Sequence, residues 1–144
     1  KKYPNMTLIL DHCARGFNPY HLIAGLARLE NPGNLYVDTS VICNPLAVWA
    51  CAEYLGTDRM FYGSDFFCSH LRGTNLPVGD TFIWLDESMD IWKSRAYAAQ
   101  TGGPILVGLE NLLALKAVFR LLKLTENQIE AFFWDNAARV LDLA

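Results

Sequence analysis

Three short apolar runs punctuate the first half of the chain, and each ends in polar side chains. They are Thr7-Leu8-Ile9-Leu10 before Asp11-His12, Leu35-Tyr36-Val37 before Asp38-Thr39-Ser40, and Met60-Phe61-Tyr62 before Gly63-Ser64-Asp65. Continuous apolar runs of this length read as strands buried on both faces, the pattern of a parallel sheet. Between them lie segments with helical spacing, Leu22, Ile23, Leu26 and Leu29 in the first. These segments open on Asn18-Pro19 and Asn44-Pro45, an asparagine that caps free N–H groups and a proline at the first helical position. The spacing predicts helices over 19–29 and 45–55, the second closed by Gly56 as a left-handed cap. Strand, loop and helix repeating at about 25 residues is the signature of right-handed βαβ units.

After the third strand the rhythm changes. Residues 68–81 carry two glycines, one proline, His70 and Arg72, and read as a long loop over the carboxyl ends of the strands. Residues 82–100 carry Trp84, Met89, Trp92 and Tyr97 on a mostly helical pattern, which Thr101-Gly102-Gly103-Pro104 breaks. A helix is predicted over 107–122, and a second from Thr125, where Thr125-Glu126-Asn127-Gln128 fits a capping box, through Leu141. Residues 1–144 thus read as a single domain segment with a loop and helix insertion at about 68–104.

Composition narrows the partners. With 144 residues, 52% of them hydrophobic and 19% charged, the chain is long and apolar enough to bury a core. A net charge of −3 without a basic stripe argues against nucleic acid or an anionic membrane as the main partner. No apolar run reaches the roughly 20 residues of a membrane span and no signal-peptide pattern opens the chain, so a soluble, cytoplasmic protein is expected. Lys1-Lys2-Tyr3-Pro4 leads at once into a strand, which points to missing upstream chain. Cys13, Cys43, Cys51 and Cys68 show no CxxC spacing and are expected to be reduced packing residues, the alternative being that Cys13, Cys43 and Cys68, just after the three strands, line a pocket.

Candidate chemistry concentrates at the strand ends. In parallel sheets and barrels ligands bind outside the carboxyl ends of the strands, which places Asp65 at a site; the alternative is an aspartate that caps the following turn. Arg15 and Arg72, in loops on the same face, suit forked contacts to a substrate carboxylate. Ser40 and His70 are candidates to reach that mouth, the alternatives being a serine that bonds only the backbone and an ordinary loop histidine; His21 reads as structural, and Trp84, Trp92 and Trp134 read as core or lid packing, with substrate contact the alternative for Trp84. Glu110 is a candidate inward-facing acid.

Taken together, His12, Asp38-Thr39-Ser40, Gly56-Thr57-Asp58-Arg59, Tyr62-Gly63-Ser64-Asp65 and Asp135-Asn136-Ala137-Ala138-Arg139-Val140-Leu141 resemble the amidohydrolase family of metal-dependent hydrolases. The resemblance is closest to its amidohydrolase 2 branch, the aminocarboxymuconate-semialdehyde decarboxylase-like proteins, and spans nearly the whole chain. It implies an α/β fold, the last three strands and closing helices of a TIM (β/α)₈ barrel. It implies that Asp65 binds a divalent metal, zinc by preference, and helps deprotonate the attacking water, tasks that suit a hard carboxylate. It makes His12 a second-metal ligand or, as the one-metal branch favours, an acid, base or electrostatic stabiliser beside the substrate.

The resemblance also marks an absence. The family's His-x-His pair and fifth-strand histidine have no counterpart, since the histidines are His12, His21 and His70. A metal site normally takes three or more protein ligands, so the segment alone is expected to hold metal weakly or not at all. The expectation is therefore a hydrolase or non-oxidative decarboxylase of a small carboxylate-bearing or cyclic substrate, inactive without its amino-terminal barrel half. The alternative is a non-catalytic half-barrel module that self-associates or pairs with another chain, as open sheet edges invite.

Overall fold

A computed structural model describes residues 3, 5–93 and 103–143 of the chain. The three apolar runs form strands β1 (Leu8–Leu10), β2 (Leu35–Asp38) and β3 (Met60–Phe61), hydrogen-bonded in that order. Both pairings are parallel, with Leu8 opposite Leu35 and Val37 opposite Met60. Parallel neighbours need a crossover, which α1 (Pro19–Leu26) and α2 (Pro45–Leu55) supply. Both asparagines cap as expected, Asn18 Oδ1 accepting from the Tyr20 N–H at 3.1 Å and Asn44 Oδ1 from the Leu46 N–H at 2.9 Å.

Two boundaries differ from the expectation. Helix α1 stops at Leu26 because its last turn tightens: the Arg28 N–H donates to Gly25 O at 3.1 Å and the Leu29 N–H to Leu26 O at 2.9 Å. Gly56 has φ 87° but ψ 147°, so it uses glycine's freedom without adopting the left-handed helical cap.

The core lies between the sheet and the helices. Val37, Met60, Val48, Cys51, Leu115 and Phe132 are at most 1% exposed. Helix α3 (Val107–Leu121) packs against α2 and brings in Asn111, only 1% exposed. Its amide donates to Thr39 O at 2.7 Å and to Ile42 O at 2.9 Å, satisfying carbonyls just beyond β2. Asn136 does the same around β3, donating to Thr57 O at 2.9 Å and Met60 O at 2.8 Å.

The predicted closing helix is present but interrupted. Thr125 forms the expected capping box with Gln128 ahead of α4 (Glu126–Glu130). A π-helical turn (Ala131–Asp135) then separates it from α5 (Asn136–Leu141). The wide turn leaves Phe132 O free to accept from the Tyr62 N–H at 3.1 Å, at the end of β3.

The region beyond β3 corrects the sequence reading. Instead of a loop over 68–81 running into a helical pattern, β4 (Gly73–Val78) and β5 (Thr81–Asp86) pair antiparallel as a hairpin. Its turn is Gly79-Asp80, with Gly79 at φ 55°, the positive angle that the first position of a II′ turn requires. One-turn 3₁₀ segments at Cys68–His70 and Asp90–Lys93 flank it. Asn18 pins the turn, its amide donating to Gly79 O at 3.2 Å and Thr81 O at 2.9 Å, and His21 meets Asp80 at 2.5 Å. Phe17 packs on Phe82 and Trp84, with ring centroids 4.8 and 5.5 Å away. The rest of the predicted helical pattern, including Tyr97, and the Thr101-Gly102 part of its break lie outside the described residues.

Replacing Asn111 by alanine strands two buried carbonyls, each worth roughly 1–3 kcal/mol when unsatisfied, so a loss of about 2–4 kcal/mol is expected in a denaturant titration. A loss below about 1 kcal/mol would show that the carbonyls beyond β2 find other partners.

Candidate active site

All three parallel strands end in strained backbone. His12, Cys13, Ala14 and Arg15 have φ of 55°, 49°, 59° and 58°, forming a left-handed turn after β1. Val41 after β2 and Asp65 after β3 also have positive φ, 50° and 46°. Such angles cost non-glycine residues roughly 1–2 kcal/mol each, and they gather where a structure over-determines side-chain direction. The turn after β1 is held by the Gly16 N–H donating to His12 O at 2.8 Å and by the fully buried Cys13.

Asp38 ties the strand ends together. Its Oδ1 accepts from the His12 N–H at 3.1 Å, the Ser40 N–H at 2.9 Å and the Ser40 hydroxyl at 2.5 Å. His12 Nδ1 lies 2.9 Å from Ser40 Oγ and 3.2 Å from Ser40 O. The loop after β3 approaches closely because position 63 is glycine. A Cβ there would sit 3.2 Å from Ser40 Cβ and 3.3 Å from Asp38 Cγ.

Above these groups opens a cleft of about 360 Å³ lined by His12, Arg15, Asp65, Val41, Trp84 and Leu71, with Phe17 and Cys68 completing its wall. Its walls are mainly apolar, and its charged side chains are the Arg15 guanidinium and the Asp65 carboxylate. The structure thus gathers three of the expected site residues, His12, Arg15 and Asp65. Ser40 is 3% exposed and lies behind His12 rather than on the cleft surface. Arg72 and His70 point elsewhere. Arg72 donates to Pro104 O at 3.2 Å, and exposed His70 sits edge-on to Phe66 at 4.8 Å; neither lines the cleft.

Sequence reasoning assigned no role to Asp38 or Asp11, although both share the strand-end address that singled out Asp65. Trp84, read as core or lid packing with substrate contact as the alternative, forms a cleft wall because the hairpin carries it there. Glu110 lines a separate cavity with Asn75 and Trp92, and desolvation raises its carboxyl above the ordinary range. The four cysteines are free thiols.

The site is rich in acids. The hydrogen bond to Asp38, followed by Asp38's charge, raises the Asp11 carboxyl above its ordinary value, with Asp65 adding in the same direction. Desolvation, then the Asp65 carboxylate, pushes the Cys68 thiol up, so Cys68 stays protonated and is a poor nucleophile.

Among the described residues, no three His, Cys, Asp or Glu side chains converge on a point that would hold a metal. With His12 Nδ1 committed to Ser40, the cleft offers Nε2, the Asp65 carboxylate and the protonated Cys68 thiol, which do not converge as the three protein ligands of a catalytic zinc do. These residues do not fit a resident metal by themselves.

Parallel strands crossed over by helices, with an imidazole, a carboxylate and a guanidinium at their carboxyl ends, define an α/β protein with an enzyme-like cleft. The chain belongs to the amidohydrolase family, matching the family described as Amidohydrolase (Amidohydro_2) over residues 1–143. That family is built on the TIM barrel, comprises metal-dependent hydrolases and their relatives, and generally uses divalent metals. No curated protein matches the chain. Among the described residues no helix is long and apolar enough to cross a membrane.

Because the raised Asp11 carboxyl favours the protonated form in the folded state, the folded state gains most at low pH. That gain is lost as pH rises through the ordinary aspartate value of 3.8 toward the raised one. Asp11→Asn is therefore expected to raise the denaturation midpoint at neutral pH and to leave it unchanged below 3.8. A midpoint lowered at neutral pH would contradict the Asp11–Asp38 repulsion.

Proposed function

We propose that this chain is the carboxyl-terminal, catalytic-acid–base part of an aminocarboxymuconate-semialdehyde decarboxylase-like amidohydrolase. The reaction is hydrolysis or non-oxidative decarboxylation of a small carboxylate-bearing or cyclic substrate. The observation that carries the reading is the convergence of His12 and Asp65 on one largely apolar cleft at the carboxyl ends of parallel strands. Asp65 accepts a proton, His12 Nε2 donates or accepts one at the reacting group, and Arg15 pairs with the substrate's anion. The apolar wall of Phe17, Val41 and Trp84 limits water around these groups and strengthens their electrostatics. The divalent metal of the family, zinc in this reading, needs donors beyond the described residues, and a preceding barrel half is their natural source.

In a complete, active protein, Asp65→Asn should lower turnover by roughly 10²–10⁴-fold with the fold intact by circular dichroism. Turnover at the wild-type rate would end the assignment.

A second reading, a non-catalytic module that pairs with another chain or itself, draws on the outer edge of β1. There Leu8, Leu10, Leu22, Leu26, Leu29 and Leu35 border an apolar cavity of about 360 Å³, with Leu8 42% and Leu29 45% exposed. An edge strand beside such a surface invites a further strand and helix. The intact mass of every polypeptide in the denatured sample, read beside light scattering of the native one, separates the readings. A heavier polypeptide or a second chain is expected for the first; a metal-free, inactive homodimer of the 16.2 kDa chain would establish the second.

A further inference from the structure

We propose that Asp38, acting through Ser40, fixes the tautomer of His12, so that Nδ1 carries the proton of the neutral ring and Nε2 is the atom that faces the cleft. Asp38 and Ser40 are then positioning residues. The bearing of this arrangement on turnover rests on the function proposed above.

The direction of each hydrogen bond follows from what each atom is able to do. Asp38 Oδ1 already receives two backbone N–H groups, from His12 and Ser40, so toward the Ser40 hydroxyl it acts as an acceptor. Ser40 Oγ has one proton, and that proton goes to Asp38 at 2.5 Å. The lone pairs of Oγ are left facing His12 Nδ1 at 2.9 Å. Ser40 O, which accepts and never donates, also faces Nδ1 at 3.2 Å. Two acceptors converging on one ring nitrogen require that nitrogen to be the donor.

The consequence is at the other end of the ring. Nε2 has no hydrogen-bond partner among the described residues, and His12 borders the cleft with Asp65 and Arg15. In the neutral ring Nε2 is a lone pair; in the protonated ring it carries the proton that is free to leave. Either way proton exchange with a bound molecule passes through Nε2.

Burial keeps the chain of bonds from rearranging. Ser40 is 3% exposed and Thr39 beside it is fully buried, so water does not compete for the hydroxyl. Gly63 leaves room for the loop after β3 to cover the Asp38–Ser40 pair. The left-handed turn at His12–Arg15 sets the ring against Ser40, and Phe17 supports its face at 5.5 Å.

The test is a long-range ¹H–¹⁵N spectrum of ¹⁵N-histidine-labelled protein at a pH where the ring is neutral, with His21 and His70 as internal references. Wild-type His12 should show a protonated Nδ1 and an unprotonated Nε2; the opposite pattern overturns the proposal without need of a variant. Asp38→Ala frees the Ser40 hydroxyl to donate to Nδ1 and should raise the share of the Nε2–H tautomer roughly five- to tenfold. Asp38→Asn keeps the shape and an accepting oxygen, and should retain the wild-type tautomer even if the alanine variant fails to fold. A tautomer unchanged in folded Asp38→Ala, or lost in folded Asp38→Asn, overturns the role of Asp38.

In the active protein, Asp38→Ala should lower kcat roughly 10- to 100-fold with KM little changed, and Asp38→Asn should rescue most of that loss. If the tautomer shifts while kcat does not, positioning stands and the catalytic role of His12 falls. The two readings thus fail separately.

Discussion

A single carboxylate oxygen organises the carboxyl ends of the sheet. Asp38 Oδ1 gathers the His12 backbone, the Ser40 backbone and the Ser40 hydroxyl, so the segments after β1 and β2 are tied to each other through a side chain rather than through the sheet ladder. Parallel strands this short supply few ladder bonds: β1 has three residues and β3 two. Hydrogen bonds to an ionised acceptor are stronger than neutral ones, about 1.5–3 kcal/mol each, so this acceptor offsets part of the strain in the left-handed turn that follows β1. The buried amides of Asn111 and Asn136 act in the same way beneath it, satisfying carbonyls that would otherwise be orphaned beyond β2 and around β3.

The hairpin completes the cleft from the side. Its contribution is apolar, Trp84 against Phe17 and the cleft, and it is held by polar contacts at its tip, Asn18 to the turn carbonyls and His21 to Asp80. Asn18 therefore serves two structures with different atoms. Its Oδ1 caps α1 and its Nδ2 fixes the hairpin, which couples the start of the first crossover helix to the position of the cleft wall.

What was legible in the sequence was whatever local chemistry decides. The three strands, the Asn-Pro helix entrances and the Thr125–Gln128 box follow from propensity and capping, and they stand in the fold as expected. The hairpin was misread as part of a helical pattern because Phe82-Ile83-Trp84-Leu85 is uniformly apolar and has no period of its own; its pairing with residues 73–78 decides the matter. Gly79-Asp80, a two-residue turn of the type that hairpins favour, was the available signal. At the site, strand-end position pointed to Asp65, and a family resemblance added His12. It could not separate Ser40 as a substrate contact from Ser40 as a support for His12, since that distinction depends on which way one hydroxyl points. Arg72 and His70 share a loop with the site in sequence but are carried away from it by the turn at Cys68–His70 and the bridge between Arg72 and Leu106.

The strain and the metal deficit bear on each other. A left-handed turn of four non-glycine residues is tolerated only where surrounding contacts over-determine it, and here those contacts are intrinsic to the chain: the Asp38 acceptor, the Gly16 N–H and the buried Cys13. The orientation of His12 is thus set by hydrogen bonds and packing within the chain. The network that aims the imidazole is present, whereas among the described residues no three donors converge to hold a divalent metal. In the function proposed above, such a site separates two tasks: this chain's own hydrogen bonds aim the imidazole for proton transfer, and metal donors from outside the described residues would meet a preorganised surface.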